Sequence, residues 1–80
     1  MVELHVWSDD GDFMGGITIH GKIAELWDMD GNVDGSVNVS GLHDESLWDV
    51  VLNAYSSELG IDDSELYLTD INDAEILWAP

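Results

Sequence analysis

The start of the chain alternates between apolar side chains and polar or aromatic ones. Apolar residues occupy every second position from Val2 to Val6, which is the period of a β-strand with one buried face. The segment 8–12 that follows is rich in aspartate, a composition typical of turns. We therefore predict a first strand followed by a loop, which the Gly15-Gly16 pair closes.

A second alternation, Ile-Thr-Ile-His, covers residues 17–20 and predicts a second strand. Gly21 and Lys22 follow directly, and a glycine at the first central position suits a two-residue hairpin turn. We predict a hairpin onto a third strand over residues 23–29. The alternative is one long strand that continues through Lys22 with a bulge at Gly21.

Three further strands are predicted from shorter alternations. The segment 30–35 is dense in Asp, Asn and Gly, so we predict a tight connection, followed by a strand over residues 36–40. In the C-terminal part of the chain, leucines alternate with Tyr and Thr over residues 66–69. The Asn-Asp pair at 72–73 predicts a turn into a last strand at 74–79.

Between these strands lies a segment with helical periodicity, which predicts an amphipathic α-helix over about residues 44–59. Asp44 is the predicted N-cap. Gly60 followed by the apolar Ile61 predicts a C-terminal stop. The apolar stripe consists of Leu47, Val50, Val51, Ala54, Tyr55 and Leu59.

The order of these elements predicts the fold class. Strands, one helix and strands again indicate an α+β fold, in which the helix packs on one face of an antiparallel sheet. The opposite face of the sheet would then meet water or a partner. The length permits one domain, residues 1–80.

Charge changes this picture from a plain small domain to an unusual one. The chain has 18 acidic residues and a single base, Lys22, and its net charge is −17. A folded domain of this size is about 30 Å across, and about 30 Å of duplex DNA carries about 18 negative charges. The acids are spread among 45% hydrophobic residues, so we predict a folded polyanion rather than a disordered acidic tail.

The same composition excludes several classes of partner. An anionic membrane surface or a nucleic acid would repel this chain, so the expected partners are basic proteins or cations. The chain has no cysteine, which excludes disulfides and thiolate metal sites. No secretion signal or membrane-spanning run is evident, and we expect a cytoplasmic location.

One local motif suggests calcium. Asp30-x-Asn32-x-Asp34-Gly35 resembles the start of an EF-hand or dockerin loop, in which such side chains bind Ca²⁺. The twelfth loop position, which should supply a carboxylate, is Gly41. An ordinary loop between two strands explains the same residues, so metal binding by this motif is the less favoured interpretation.

The sequence contains no pattern that indicates an enzyme or a cofactor. The three histidines share no metal-ligand spacing, and the chain has neither a phosphate-binding glycine loop nor a nucleophile elbow. Carboxylates are so numerous that a pair for acid–base catalysis could be drawn anywhere, and such a pair therefore carries no information. We expect a protein that is not an enzyme and has no cofactor.

The tryptophans are unusually numerous, four in 80 residues. Most are expected in the core. Trp7, however, lies on the same strand face as Glu3 and His5, opposite the apolar positions of the first strand. An exposed tryptophan rimmed by acids is typical of an interface anchor.

In size, charge, scarcity of basic residues and α+β pattern, the chain resembles the small acidic proteins with which phages inhibit the nucleic-acid-binding proteins of their hosts. These include anti-restriction proteins, anti-CRISPR proteins and the uracil-glycosylase inhibitor, and the resemblance assigns no individual residue. We predict a stoichiometric DNA mimic that occupies the basic groove of a CRISPR effector, restriction or repair enzyme. The expected contact residues are Trp7, Asp9, Asp10, Asp12, Asp28, Asp30, Asp34, Asp62, Asp63, Asp70 and Asp73.

Two alternatives remain open from the sequence. The first is a calcium-binding module that uses Asp30, Asn32 and Asp34. The second is an acidic assembly or chaperone domain that binds a basic protein without displacing nucleic acid. The acidity suits both, because carboxylates are ligands for calcium and are attracted to basic surfaces.

Overall fold

In a computed structural model, which describes residues 2–70 and 76–78, the chain forms one antiparallel sheet and one α-helix. A short 3-10 turn over Asp63–Glu65 precedes the fifth strand. The main elements in chain order are β1 Val2–Ser8, β2 Phe13–His20, β3 Ile23–Asp28, β4 Val33–Asn38, α1 Asp44–Leu59, β5 Leu66–Asp70 and β6 Ile76–Trp78.

The strands lie in the order β4-β3-β2-β1-β5-β6, and every neighbouring pair is antiparallel. The helix connects β4 to β5 and packs against one face of the sheet, as its contacts with β4, β5 and β6 indicate. The predicted α+β architecture is therefore confirmed. The opposite face of the sheet, called the open face below, carries no helix in the part of the chain that the structure describes.

The core lies between the helix and the sheet, and its residues follow the predicted alternation. Leu4 pairs with Ile17, and Ile17 pairs with Leu26, so these three side chains form one row on the helix side. Burial of such apolar rows is the main driving force for folding. The buried apolar residues are Leu4, Val6, Ile17, Ile19, Ala24, Leu26, Val39, Val51, Leu52, Tyr55, Leu66 and Leu68.

The helix spans the predicted residues, but its start and its buried face differ in detail. Its N-cap is His43, not Asp44, because His43 has extended backbone angles of −141° and 149°. The Ser46 hydroxyl donates to the His43 carbonyl at 2.7 Å and accepts from the His43 N–H at 3.3 Å. The most buried part of the stripe includes Leu52, whereas Val50 is partly exposed.

The predicted end of the helix is confirmed. Gly60 adopts the left-handed conformation with φ 71°, which a glycine reaches without a Cβ penalty. The N–H groups of Gly60 and Ile61 both donate to the Ser56 carbonyl, at 2.8 Å and 3.2 Å. The helix therefore stops at a fixed point and directs the chain toward the start of β5.

The Gly15-Gly16 pair does not close a loop, contrary to the sequence prediction. Both glycines are buried within β2. A Cβ on Gly16 would overlap the Trp27 indole, and it would lie 2.6 Å from the Leu4 carbonyl oxygen. Glycine inside a strand often marks such a close approach, and here it makes room for a tryptophan of the neighbouring strand.

We expect Gly16→Ala to destabilise the protein by about 1–3 kcal/mol, because an extra methyl group in a filled site forces its neighbours to move. Chemical denaturation measures this free energy of unfolding. If the indole is the group that clashes, Trp27→Leu should recover part of the loss in a double-mutant cycle. Fully additive losses would show that the cause lies elsewhere, for example at the Leu4 carbonyl.

The remaining connections agree with the sequence in part. The Gly21-Lys22 hairpin is confirmed, with Gly21 at φ 58° between paired His20 and Ile23. The connection predicted over 30–35 is shorter, since β4 already begins at Val33. The strand predicted over residues 36–40 is therefore observed earlier in the chain, as β4 over Val33–Asn38. The Asn-Asp turn at 72–73 falls outside the described residues.

Candidate interface: an acidic edge beside an aromatic sheet face

The strand directions bring three connections to the same edge of the sheet, by which we mean the side on which β1 and β3 end, not the free side of an outermost strand. β1 and β3 run in the same direction, so the β1–β2 and β3–β4 loops lie at one edge, and β5 begins there. The Asp9 N–H donates to the Glu65 carbonyl at 2.8 Å, which joins the first loop to the start of β5. The helix ends at this edge too, because it leads into β5.

Acidic residues are concentrated along this edge. A Cβ on Gly35 would lie 2.9 Å from a Glu58 carboxylate oxygen, which places the last turn of the helix beside β4. We call this surface the acidic edge and define it by the backbone positions of ten acidic residues: Asp9, Asp10, Asp12, Asp28, Asp30, Asp34, Glu58, Asp62, Asp63 and Glu65.

Side-chain hydrogen bonds fix the loops that carry these acids. An Asp28 carboxylate oxygen accepts the N–H groups of Asp30 and Asn32, at 2.9 Å and 3.0 Å. An Asp62 oxygen accepts the Ser64 N–H at 2.9 Å. Such bonds stabilise turns locally. The carboxylates therefore stand on ordered turns rather than on long flexible loops.

The single base lies at the end of the sheet opposite the acidic edge. Lys22, the single base in the sequence, is in the β2–β3 turn, at the edge of the sheet away from the acidic edge. The helix has no basic residue in its last turn. Its C-terminus, which carries a partial negative charge, therefore adds to the field of the carboxylates.

The structure brings most of the predicted contact residues together and separates one. Eight of the predicted aspartates belong to the acidic edge. Asp70 does not, because β5 ends at the opposite edge, where Asp70 pairs with Leu4. Asp73 lies outside the described residues. Trp7, next to the end of β1, is adjacent to the acidic edge on the open face.

The calcium motif takes the form of a β-hairpin. Asp34 and Gly35 belong to β4, and Asp28, which is not part of the motif, orders the turn through its contacts with Asp30 and Asn32. Within residues 2–70, side chains of 44 and 63 apart, no group of three or more His, Asp or Glu residues is arranged to hold a metal ion. Calcium binding by Asp30, Asn32 and Asp34 stays a prediction that titration can test.

Tyr55 connects the helix to the neighbouring strands β2 and β3, close to the acidic edge. Its hydroxyl lies 2.9 Å from the Met14 carbonyl oxygen and 2.8 Å from the Trp27 carbonyl oxygen, so it can donate to either. The pKa of Tyr55 is raised from 10.0 to about 12, mainly by burial of the hydroxyl and to a smaller extent by the negative charges of Asp28 and Asp34.

We expect Tyr55→Phe to lower the free energy of unfolding by about 1–2 kcal/mol at neutral pH, because a buried carbonyl loses its donor. The raised pKa also gives a pH dependence. Since the folded pKa lies above the unfolded one, the stabilisation is complete below pH 10 and is lost as the pH rises toward 12. Urea denaturation of both proteins at about pH 8 and about pH 11 should therefore show a smaller difference at the higher pH.

A cluster of aromatic rings covers the open face next to the acidic edge. We call it the aromatic patch and define it as His5, Trp7, Phe13 and Trp27. The His5 and Phe13 ring centroids are 5.1 Å apart, and those of Trp7 and Phe13 are 5.4 Å apart. Both pairs have the edge-to-face geometry that aromatic rings prefer. All four side chains are partly exposed.

The N–H groups of the two indoles donate to threonine side chains of the sheet, so they are not available to a binding partner. Trp7 Nε1 donates to Thr69 Oγ1 at 2.8 Å, and Trp27 Nε1 donates to Thr18 Oγ1 at 3.1 Å. The accessible part of each indole is therefore mainly hydrocarbon. Val33, the Cα partner of Trp27 in β4, is 58% exposed and extends this apolar surface.

Several of these residues were missed from the sequence. The sequence predicts a loop at Phe13. It predicts a strand that includes Trp27, but not which face of the sheet carries the indole. The signal was the Gly15-Gly16 pair: two glycines beside a strand can indicate that a large side chain from a neighbouring strand needs room. Glu58 and Glu65 were missed because the helix end and the turn before β5 reach the edge only in three dimensions.

The α-helix in the described ranges 2–70 and 76–78 is too short and too polar to cross a membrane. Comparison of the chain with models of protein families, with curated protein sequences and with solved structures finds no match.

Proposed function

We propose that the protein is a stoichiometric inhibitor that imitates nucleic acid. It occupies the basic nucleic-acid-binding groove of a target protein and excludes the true ligand. The favoured targets are CRISPR effector complexes, then restriction and repair enzymes, as for the phage proteins that the sequence resembles. The protein acts in the cytoplasm of the cell that contains the target. It needs no cofactor, and it binds neither nucleic acid nor a membrane directly.

The observation that supports this proposal is the density of carboxylates on the acidic edge. The edge spans the five strands from β4 to β5, and four spacings of about 4.8 Å give a width of about 19 Å. Duplex DNA of that length carries about 11 phosphate charges. Ten acidic residues line the edge, so its charge per unit length is close to that of a duplex.

The fixed geometry of the edge is a second argument. A basic groove that neutralises a polyanion releases the counterions condensed on that polyanion, so a surface of similar charge density can be bound for the same reason. Carboxylates held on hydrogen-bonded turns, such as those around Asp28 and Asp62, lose little conformational freedom on binding. Preorganisation of this kind increases affinity without additional contacts.

The aromatic patch supports a protein as the partner. A mimic that only reproduced charge would bind every basic surface. Partly exposed aromatic side chains next to the charges provide an apolar anchor of the kind that dominates protein interfaces. Trp7 and its neighbours therefore add selectivity for one groove to the general attraction of the acidic edge.

Competition for nucleic acid tests the proposal. Purified CRISPR effector, restriction and repair enzymes are each mixed with labelled DNA at about 50 mM and about 150 mM salt, because electrostatic binding weakens with salt. For the true target, excess protein should raise the apparent Kd for DNA in proportion to its free concentration, without a plateau, and direct titration should show one equivalent bound. Binding without displacement of DNA would contradict mimicry, and it would favour the assembly or chaperone alternative.

A further inference from the structure

We infer that the aromatic patch binds an arginine side chain of the basic partner, by stacking of the guanidinium group on the partly exposed rings of Trp7, Phe13 and Trp27. The inference rests on the proposed function for the basic nature of the partner. It goes further in assigning a chemically specific subsite next to the acidic edge, distinct from the general attraction between opposite charges.

Charge decides which class of molecule can cover this patch. Acids lie on both sides of it: the acidic edge on one side, and Glu3 and Glu25 on the other, where each is the Cα partner of Thr18 on the same sheet face. A second copy of the chain would bring another net charge of −17. A nucleic acid would be repelled for the same reason. A basic protein segment is attracted from both sides.

The surface of the patch selects among basic side chains. Because the indole N–H groups already donate to Thr69 and Thr18, the patch offers ring carbon and π-electron density rather than hydrogen bonds. A guanidinium group is planar and weakly hydrated, and it stacks on aromatic faces. An ammonium group is strongly hydrated and compact, and it loses more on desolvation. Arginine therefore fits the patch better than lysine.

The position of the patch explains how one partner can use both surfaces. Trp7 and Trp27 are each the last residue but one of their strands, and Phe13 is the first residue of β2. All three therefore lie at the ends of strands that lead into the acidic edge. An arginine that stacks on the patch would place neighbouring basic residues of the partner against the carboxylates. Nucleic-acid-binding grooves carry such closely spaced basic residues.

Two peptides of equal length and charge test the inference. In one peptide every basic residue is arginine, and in the other every basic residue is lysine. Isothermal titration at about 150 mM salt, where surface charges are partly screened, should show that the arginine peptide binds at least about fivefold more tightly. Trp27→Leu should reduce this ratio to near one, and the part of the affinity that both peptides share should remain.

Two further variants keep the result interpretable. Phe13→Leu removes a ring and leaves both indole hydrogen bonds in place, so it should lower the ratio even if Trp27→Leu perturbs the sheet. Trp48→Phe changes a helix residue that packs on the core, and it should leave the ratio unchanged. Equal affinities for the two peptides, or a preference that survives both patch variants, would overturn the inference.

The outcomes for the subsite and for mimicry can be told apart. Loss of the arginine preference with intact displacement of DNA from the target would reject the subsite and leave the proposed function standing. A clear preference without displacement from any target would support the subsite and reject mimicry. Self-association that the arginine peptide reverses would identify a second copy as the occupant, and it would overturn the assignment to a basic partner.

Discussion

Reversal of four charges on the acidic edge is expected to abolish binding to the target. Asp9, Asp10, Asp30 and Asp34 are all exposed, and their replacement by lysine places like charges against a basic groove. Such contacts cost several kcal/mol in total, so we expect the Kd to rise by at least about 1000-fold. Single replacements should have small effects, because exposed charges each contribute about 1 kcal/mol or less.

A matched pair of variants separates position from net charge. Asp10 and Asp30 lie on the acidic edge, and Glu45 and Asp49 lie on the helix near its start, at the other end of the molecule. Reversal of either pair changes the net charge by the same amount. The Asp10/Asp30 variant should weaken binding much more than the Glu45/Asp49 variant. Equal effects in a binding titration would mean that total charge, not the acidic edge, determines recognition.

Salt is expected to stabilise the folded protein. Folding brings ten acidic residues to one edge of the sheet, and their mutual repulsion destabilises the compact state. An increase from about 20 mM to about 500 mM NaCl shortens the Debye length from about 20 Å to about 4 Å. If screening relieves about 2 kcal/mol, the melting temperature should rise by about 10 °C for a domain of this size.

The location of the repulsion can be tested in the same experiment. Asp→Asn replacements at Asp9, Asp10, Asp30 and Asp34 remove charge from the acidic edge with little change in volume. This variant should melt at a higher temperature than the natural chain in low salt, and it should respond less to added salt. A melting temperature that does not change with salt in the natural chain would show that bound cations or hydrogen bonds already neutralise the edge.

The elements that sequence reasoning predicted well depend on local signals. The helix bounds coincide with Asp44–Leu59, because an apolar stripe and a C-terminal glycine act within a few turns. The hairpin at Gly21 follows from turn chemistry in the same way. The N-cap was misplaced by one residue, since a serine hydroxyl from within the helix satisfies the backbone of His43.

The candidate interface was harder to predict because it depends on strand order. Nothing in the sequence indicates that β1 lies between β2 and β5, and this order sends Asp70 to the edge opposite Asp9. The aromatic patch has the same origin. Trp7 and Trp27 are far apart in sequence, and only their pairing through β2 brings them onto one face.

The free side of β4, an outermost strand of the sheet, has a consequence for the protein at high concentration. Among the strands of residues 2–70 and 76–78, β4 pairs with β3 alone, so within this part of the chain one side of its backbone has hydrogen-bonding groups that no neighbouring strand satisfies. Exposed edge strands of this kind are templates for addition of further chains. At neutral pH, repulsion between copies prevents such contacts. Near the sequence pI of about 4.1 the net charge vanishes and that barrier falls, so we expect β4 to become the site at which folded molecules pair strand to strand into aggregates.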